Sequence, residues 1–136
     1  MTQELTTELG IVTWLCVLAA SLWIPYIIGV SSDPANPDNF GRPGDLSLLR
    51  PWVHRAHRAH LNLLEQLLPF AVLVLLVDRV GGYSTLTFWT AIVFFWLRVV
   101  HAVGMITGMA RMPLRPILFT GGWLCCLIMA YAVWAA

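Results

Sequence analysis

The sequence predicts an all-α integral membrane protein built as a bundle of four helices. Hydrophobic residues make up 59% of the 136 residues and charged residues only 11%, against roughly 25% charged residues in an ordinary soluble domain. The mean hydropathy is +0.76. The few charges divide the chain into four apolar windows, each able to supply the ~20 residues that cross a bilayer. We therefore predict transmembrane helices near residues 9–30, 60–79, 84–107 and 115–135, within a single domain covering residues 1–136.

The first apolar window has no charged residue from Leu9 to Ser32. Glu4 and Glu8 precede it without any basic residue, and its apolar run is longer than the core of a typical signal peptide, so we expect it to stay as a membrane span. Pro25, in the stretch WIPY, lacks a backbone N–H and should kink or end the regular helix near its far end.

The connections between the spans contain typical loop and helix-end residues. The stretch from residue 31 to 51 is rich in Pro, Asp, Asn and Gly, which predicts a surface loop and not a further span. Pro51 suits the first turn of the second helix, and Ser84 is a candidate N-cap for the third. Pro113 and Pro116 flank Arg115, so the fourth helix should begin near that arginine.

Arginines predict the orientation in the membrane, because the chain contains no lysine. Six of them lie in or beside the first and third connections: Arg42, Arg50, Arg55, Arg58, Arg111 and Arg115. The second connection has only Arg79, next to Asp78. By the positive-inside rule, the loops at 31–52 and 108–114 are cytoplasmic and both termini lie on the opposite side.

Polar side chains form one stripe on the second helix, where its apolar run begins. At about 100° per residue, Arg58, Asn62 and Glu65 fall within about 60° of one another, whereas the histidines of the RAHRAH repeat rotate away from this stripe. On the third helix, Arg98 and His101 share a face by the same rotation. The direction of the two helices places both at a depth similar to that of Glu65.

Glu65 and Arg98 are the natural ionic pair, because a charged side chain that faces lipid costs a few kcal/mol or more. One interpretation of the pair is a buried salt bridge that fixes the register of the helices. The excess of arginine over this single carboxylate favours a second interpretation. In this interpretation a cavity at the helix ends binds an anionic guest through guanidinium groups. Lipid headgroups are the simplest guest of this kind.

Several other classes of site are not expected. His54, His57 and His60 are spread over about 120° of the helix surface and do not converge on one point, so we predict no metal site there. His101 has no partner histidine for haem. The three cysteines all fall in apolar spans and predict packing residues, not a disulfide framework. A net charge of +1 gives no nucleic-acid-binding footprint.

Five stretches of the chain resemble one known family. RAHLNLLEQLLPF is similar to the helix-two signature of the MAPEG proteins, the membrane-associated proteins of eicosanoid and glutathione metabolism. RVVHAVGM resembles their helix-three signature, RMPLR resembles the turn into helix four, and WIPY with RPW resembles the small bacterial branch. The resemblance implies a homotrimer of four-helix protomers in a bacterial inner membrane. It also implies that glutathione is held between neighbouring subunits near the cytoplasmic face.

The resemblance also assigns roles to individual residues. Arg58, Asn62 and Glu65 match family positions that hold glutathione, and His101 matches a helix-three site position. Arg98, at the depth of Glu65, joins these residues in the predicted cofactor site. Arg115 matches the arginine that stabilises the glutathione thiolate, which makes it the predicted catalytic residue.

At four positions the chain departs from the better-studied eicosanoid enzymes. Leu61 replaces a second arginine, and Met105, Pro116 and Phe119 replace a tyrosine, a serine and a tyrosine. The implied function is a glutathione-dependent transferase or peroxidase that acts on a lipophilic electrophile arriving through the bilayer. The alternative is a non-catalytic accessory or lipid-binding subunit of a larger membrane assembly. Convergence of Arg58, Glu65 and Arg98 with Arg115 of a neighbouring subunit around an open cytoplasmic-side cavity would be compatible with the enzyme, and a space plugged by aliphatic side chains would favour the accessory subunit.

Overall fold

The computed structural model describes residues 4–33 and 46–136, so Arg42 lies outside the described residues. The described chain has one short 3-10 helix, Leu46–Leu48, and five α-helices: α1 (Thr7–Ser21), α2 (Trp23–Ser32), α3 (Pro51–Val80), α4 (Thr85–Thr107) and α5 (Leu114–Ala135). Taking α1 and α2 as one segment, these helices give four segments that are long and apolar enough to cross a membrane. The prediction of an all-α membrane four-helix bundle is confirmed.

The first span is broken at Leu22, between α1 and α2. The backbone N–H of Leu22 still donates to the carbonyl of Leu18 at 3.0 Å, but Pro25 has no N–H to donate to the carbonyl of Ser21. The regular helix therefore ends one turn before the proline, which confirms the predicted disturbance. Nearer the start of α1, the buried carboxylate of Glu8 accepts a hydrogen bond of 2.7 Å from the Thr87 hydroxyl and ties α1 to α4.

Helix α3 is longer than the membrane span predicted within it. It has 30 residues and begins with Pro51 in its first turn, and it ends at Gly81, whose φ of 67° is left-handed. At ~1.5 Å per residue it is about 45 Å long, against about 30 Å of hydrocarbon. Because the chain before residue 60 is helical but polar, α3 must extend beyond the bilayer at the end that carries Arg55 and Arg58.

Helices α4 and α5 begin close to where their capping residues predict. Ser84 caps α4 in a capping box with Thr87, in which each side chain accepts from the other residue's backbone N–H. At its other end α4 stops at Gly108, with φ of 79°, and the Arg55 guanidinium packs against this glycine. Helix α5 starts at Leu114, next to the predicted Arg115. The end of the bundle that carries Arg50, Arg55, Arg58, Arg111 and Arg115 is named the arginine-rich end below.

The bundle has one main core and a smaller core at the arginine-rich end. In the main core the rings of Phe70 and Phe94 stack at 3.8 Å between α3 and α4. The smaller core, around Val30, Leu49 and Val53, joins α2 to the start of α3. It fixes the first turns of α3 and thereby positions the polar stripe that follows them.

Candidate functional site

A polar cavity of about 370 Å³ opens between α3, α4 and α5 towards the arginine-rich end of the bundle. Its wall is formed by nine residues: Arg58, Asn62, Glu65, His101, Met112, Arg115, Pro116, Phe119 and Thr120. Five of the six residues predicted for the site are among them. The structure thus brings together residues that are up to 57 positions apart in sequence, from Arg58 to Arg115, while their individual roles stay predictions.

Helix α3 contributes the stripe expected from its rotation. Arg58, Asn62 and Glu65 follow one another at intervals of one helical turn, and all three line the cavity. The side chains of Arg58 and Glu65 are exposed and Asn62 is half-buried. A cation and an anion on one wall therefore remain accessible to a ligand.

Helix α5 contributes Arg115 to the same cavity. The residue lies in the first turn of α5, where its backbone N–H donates to the carbonyl of Arg111 at 3.2 Å, and its side chain is half-buried. Two further α5 residues, Phe119 and Thr120, lie about one turn deeper. Arg115 and Thr120 are the cavity-lining α5 side chains that can donate hydrogen bonds.

Helix α4 contributes His101, the most buried of the predicted residues that line the cavity. Only 1% of its surface is exposed, and its Nε2 has no hydrogen-bond partner in the described part of the chain. Buried polar atoms are nearly always paired with protein, water or ligand. The Nε2 atom is therefore a group that a bound ligand would satisfy.

Arg98 lies behind the cavity and not on its wall. It is 1% exposed, and its Nη1 donates to the Oε1 atom of Gln66, so the predicted ion pair between Glu65 and Arg98 is wrong. The physical reason is helical rotation. Glu65 points outward to the cavity, and Gln66, about 100° further round α3, points into the core where Arg98 lies. Arg98 lies one helical turn before His101 on α4, but the structure does not place it on the cavity wall with the other predicted site residues.

Gln66 is a buried polar residue of α3 that was not predicted to take part in the site. Its amide accepts from Arg98 and its Nε2 donates to the carbonyl of Phe119 at 2.7 Å. An uncharged amide inside an apolar span is a detectable signal, because such side chains form hydrogen bonds between membrane helices. A search based on charges alone passes over it. For Met112 and Thr120, which also line the cavity, the sequence carries no comparable signal.

The four departures from the family pattern fall in different places. Pro116 and Phe119 line the cavity beside Arg115, whereas Met105 is buried in the bundle and Leu61 is exposed on the outside of α3. The family pattern has a serine and a tyrosine where this chain has Pro116 and Phe119. The α5 wall of the cavity is therefore less polar in this chain.

A larger, apolar groove lies between the first span and α3. It has a volume of about 490 Å³ and is lined mainly by small and aliphatic side chains, together with Trp23 and two ionisable residues, Cys16 and His60. Its walls offer few groups for orienting a polar ligand. We place the candidate site in the smaller cavity, since that is where the charged and hydrogen-bonding groups converge.

The donor and acceptor groups of the smaller cavity fit glutathione. The peptide carries two carboxylates and one ammonium group, and the cavity offers the guanidinium groups of Arg58 and Arg115 and the carboxylate of Glu65. The amide of Asn62 and the unpartnered His101 Nε2 can bind peptide groups. The volume also lies within the range of about 300–1,000 Å³ of small-molecule sites. Among the described residues, no three His, Cys, Asp or Glu side chains converge as a metal site.

Comparisons with known proteins point to the same family as the resemblance of the sequence. The model of the MAPEG family matches residues 9–135. Prostaglandin E synthase of Bos taurus is 36% identical over 105 residues, which cover 75% of this chain and 68% of that protein. The prostaglandin E synthases of Macaca fascicularis and Equus caballus are 34% and 36% identical over the same shares.

Proposed function

Because the chain belongs to the MAPEG family, we propose that it is a glutathione-dependent membrane transferase or peroxidase acting on a lipophilic electrophile. The observation that carries the proposal is the convergence of Arg58, Asn62, Glu65, His101 and Arg115 on one open cavity. The similar proteins are named for the synthesis of prostaglandin E, a lipid, which supports a lipophilic substrate.

The α3 residues account for binding. The guanidinium of Arg58 can hold one carboxylate of the peptide in bidentate fashion, and the carboxylate of Glu65 can hold its ammonium group. Asn62, between them, can donate to and accept from a peptide bond. His101 Nε2, buried at the inner wall, can pair with a polar group at the deepest part of the ligand.

Arg115 accounts for reactivity. Glutathione, when bound, supplies a thiol whose deprotonated form is the nucleophile. A guanidinium beside the sulfur favours the thiolate over the thiol, as any nearby opposite charge favours an ionised group. Arg115 lines the same cavity as the α3 residues, so it can hold the sulfur while Arg58 and Glu65 hold the rest of the peptide.

The assembly proposed with this function is a homotrimer in a bacterial inner membrane, with the arginine-rich end in the cytoplasm. Glu65 is exposed on a face of α3 that otherwise carries Leu61, Leu68 and Leu75. An ionised carboxylate that faced lipid there would cost a few kcal/mol or more. Cover by a neighbouring subunit, with glutathione between the two, removes this cost.

The alternative function is a non-catalytic accessory or lipid-binding subunit of a larger membrane complex. A purely structural subunit would keep the bundle but would have no need of an open, charged cavity, whereas a lipid-binding subunit would pair the arginines with anionic headgroups and would have no need of the carboxylate of Glu65. The wall of this cavity carries two arginines and a glutamate and is not plugged by aliphatic side chains, which favours the enzyme.

A titration of the detergent-solubilised protein with glutathione tests the proposal. A ligand that binds only the folded protein raises its melting temperature as the ligand concentration increases. We expect such a rise with glutathione and a smaller one with cysteinylglycine, which lacks the γ-glutamyl group. No shift at millimolar glutathione would sink the proposal. Turnover of chlorodinitrobenzene or cumene hydroperoxide then separates transferase from peroxidase, and binding without either activity would favour the accessory subunit.

A further inference from the structure

We propose that Gln66 is a positioning residue whose buried amide ties together the three helices that carry the walls of the cavity. In this role it sets the distances between the groups that hold glutathione. The identity of the ligand rests on the proposed function, whereas the contacts of the amide stand on their own.

The amide of Gln66 contacts two other helices at once. The side chain is 5% exposed and points from α3 into the core. Its Nε2 donates to the backbone carbonyl of Phe119 on α5 at 2.7 Å, and its Oε1 accepts from Nη1 of Arg98 on α4. One side chain thus joins α3, α4 and α5 in the layer directly behind the cavity.

Each residue in this cluster is a near neighbour of a cavity-lining residue. Glu65 immediately precedes Gln66, His101 lies one helical turn after Arg98, and Arg115 lies one turn before Phe119. Helices move as units over one turn. A change in the spacing at Gln66 therefore changes the spacing of Glu65, His101 and Arg115.

Gly122 allows the amide to approach the backbone of α5. A Cβ atom at this position would overlap the amide of Gln66, so a larger residue would displace the amide from its place against the backbone of α5. Small residues have this role where membrane helices pack closely. The glycine and the amide together fix the separation of α3 and α5 at the depth of the cavity.

The partner of the amide on α4 determines how the proposal can be tested. Within the described residues, Nε and Nη2 of Arg98 have no hydrogen-bond partner, so removing Gln66 alone would leave a buried guanidinium unpaired, which is strongly destabilising. Replacing both partners by apolar side chains of similar length avoids this penalty. The informative variant is therefore the double substitution Gln66→Met with Arg98→Met.

The test compares wild-type protein, the double variant and Gln66→Glu, which keeps an acceptor for Arg98 but loses the donor to Phe119. Thr87→Val is the matched control, since it removes a buried hydrogen bond between helices, to Glu8, at the far end of the bundle. We expect the Kd and KM for glutathione to rise about threefold to tenfold in both Gln66 variants. This is the cost of ordering, when glutathione binds, one or two side chains that the substitution has freed. Turnover at saturating glutathione should change less. The control should lose melting temperature but keep its Kd.

Hydrogen exchange of residues 115–120 in the ligand-free protein gives a readout that does not need glutathione. We expect faster exchange there in both Gln66 variants and no change in Thr87→Val. A lower melting temperature with unchanged Kd and unchanged exchange would show that Gln66 is merely structural and would overturn the proposal. If the wild-type protein binds no glutathione, the proposed function fails, and exchange alone decides whether Gln66 positions the three helices.

Discussion

Arg115 is the residue on which the proposed chemistry depends most. Met105, Pro116 and Phe119 stand at positions where the resembled enzymes have hydroxyl-bearing side chains, and none of the three can donate a hydrogen bond from its side chain. Among the cavity-lining residues of α5, only Arg115 combines a positive charge with hydrogen-bond donors. In the proposed function, binding of the peptide is shared among Arg58, Asn62 and Glu65.

Substitutions should therefore separate reactivity from binding. Arg115→Ala should lower turnover by about 10²-fold or more, as the loss of one stabilising donor does in other enzymes, while leaving measurable glutathione binding. Arg58→Ala and Glu65→Ala should weaken binding itself. Thermal-shift titrations give the Kd values and product formation gives kcat, with Arg79→Ala, at the opposite end of the bundle, as the control. Equal losses of binding in all three variants would contradict these separate roles.

Substitution of Gly108 should have a defined effect on stability, because this residue ends α4 in the left-handed region with φ of 79°. A Cβ atom there would be strained and would also lie 3.4 Å from the guanidinium carbon of Arg55. Gly108→Ala should lower the free energy of unfolding by about 1 kcal/mol or more, measured by denaturation in detergent. Gly10→Ala, inside α1 and 3.8 Å from Leu5 Cδ2, should be neutral or stabilising, and an equal loss in both variants would contradict the role of φ.

At the scale of the helices, α2 holds the first turns of α3 in place. The Tyr26 and His57 rings stack at 4.4 Å, and the backbone N–H of Arg50 donates to the carboxylate of Asp33 at 2.9 Å. Below these contacts, Gly29 faces Val53 so closely that an added Cβ would lie 2.6 Å from its Cγ2. These contacts fix the direction in which α3 enters the bundle.

Gly29→Ala should consequently loosen the packing of α2 on α3. The branched Val53 side chain cannot move aside, so we expect a loss of about 1–3 kcal/mol in the free energy of unfolding, as for other overpacked sites. Gly121→Ala is the control, because its Cβ would meet only the tip of Leu97 and should cost less. If Gly121→Ala lowers the free energy of unfolding more than Gly29→Ala does, the packing of α2 on α3 does not depend on this close approach.

The helices were more predictable from the sequence than the contacts between them. Apolar windows, Pro25, Ser84 and Pro113 give the spans and most of their ends, because each acts through the local backbone. Pro51 was predicted for the first turn of the second helix and does begin α3. The predicted span nevertheless started only near residue 60, because a hydropathy window reports the membrane and not the helix. The partner of Arg98 depends on one step of helical rotation, since Glu65 and Gln66 are adjacent and the sequence does not show which of them faces the core. The contributions of Met112 and Thr120 depend on how α5 packs.

For the whole molecule, we expect three chains to assemble. Large apolar side chains that one chain leaves uncovered include Leu61, Leu64, Leu68 and Leu75 on α3, beside the exposed Glu65. Light scattering or native mass spectrometry of the solubilised protein should give a protein mass three times the 15.2 kDa of one chain. A monomer that binds glutathione with the same Kd as the assembled protein would contradict both the trimer and a site shared between subunits.

The length of α3 has a consequence for how the reaction must be measured. About 15 Å of this helix extends beyond the hydrocarbon, and Arg58 and Glu65 lie about 10 Å and 21 Å from its start, so the cavity spans the boundary between water and bilayer. A water-soluble peptide and a membrane-dissolved electrophile would then reach the same cavity from two phases. Adding inert detergent at constant total electrophile should slow turnover by surface dilution, while the KM for glutathione stays constant. A rate that follows only the bulk concentration of the electrophile would place its entry on the aqueous side.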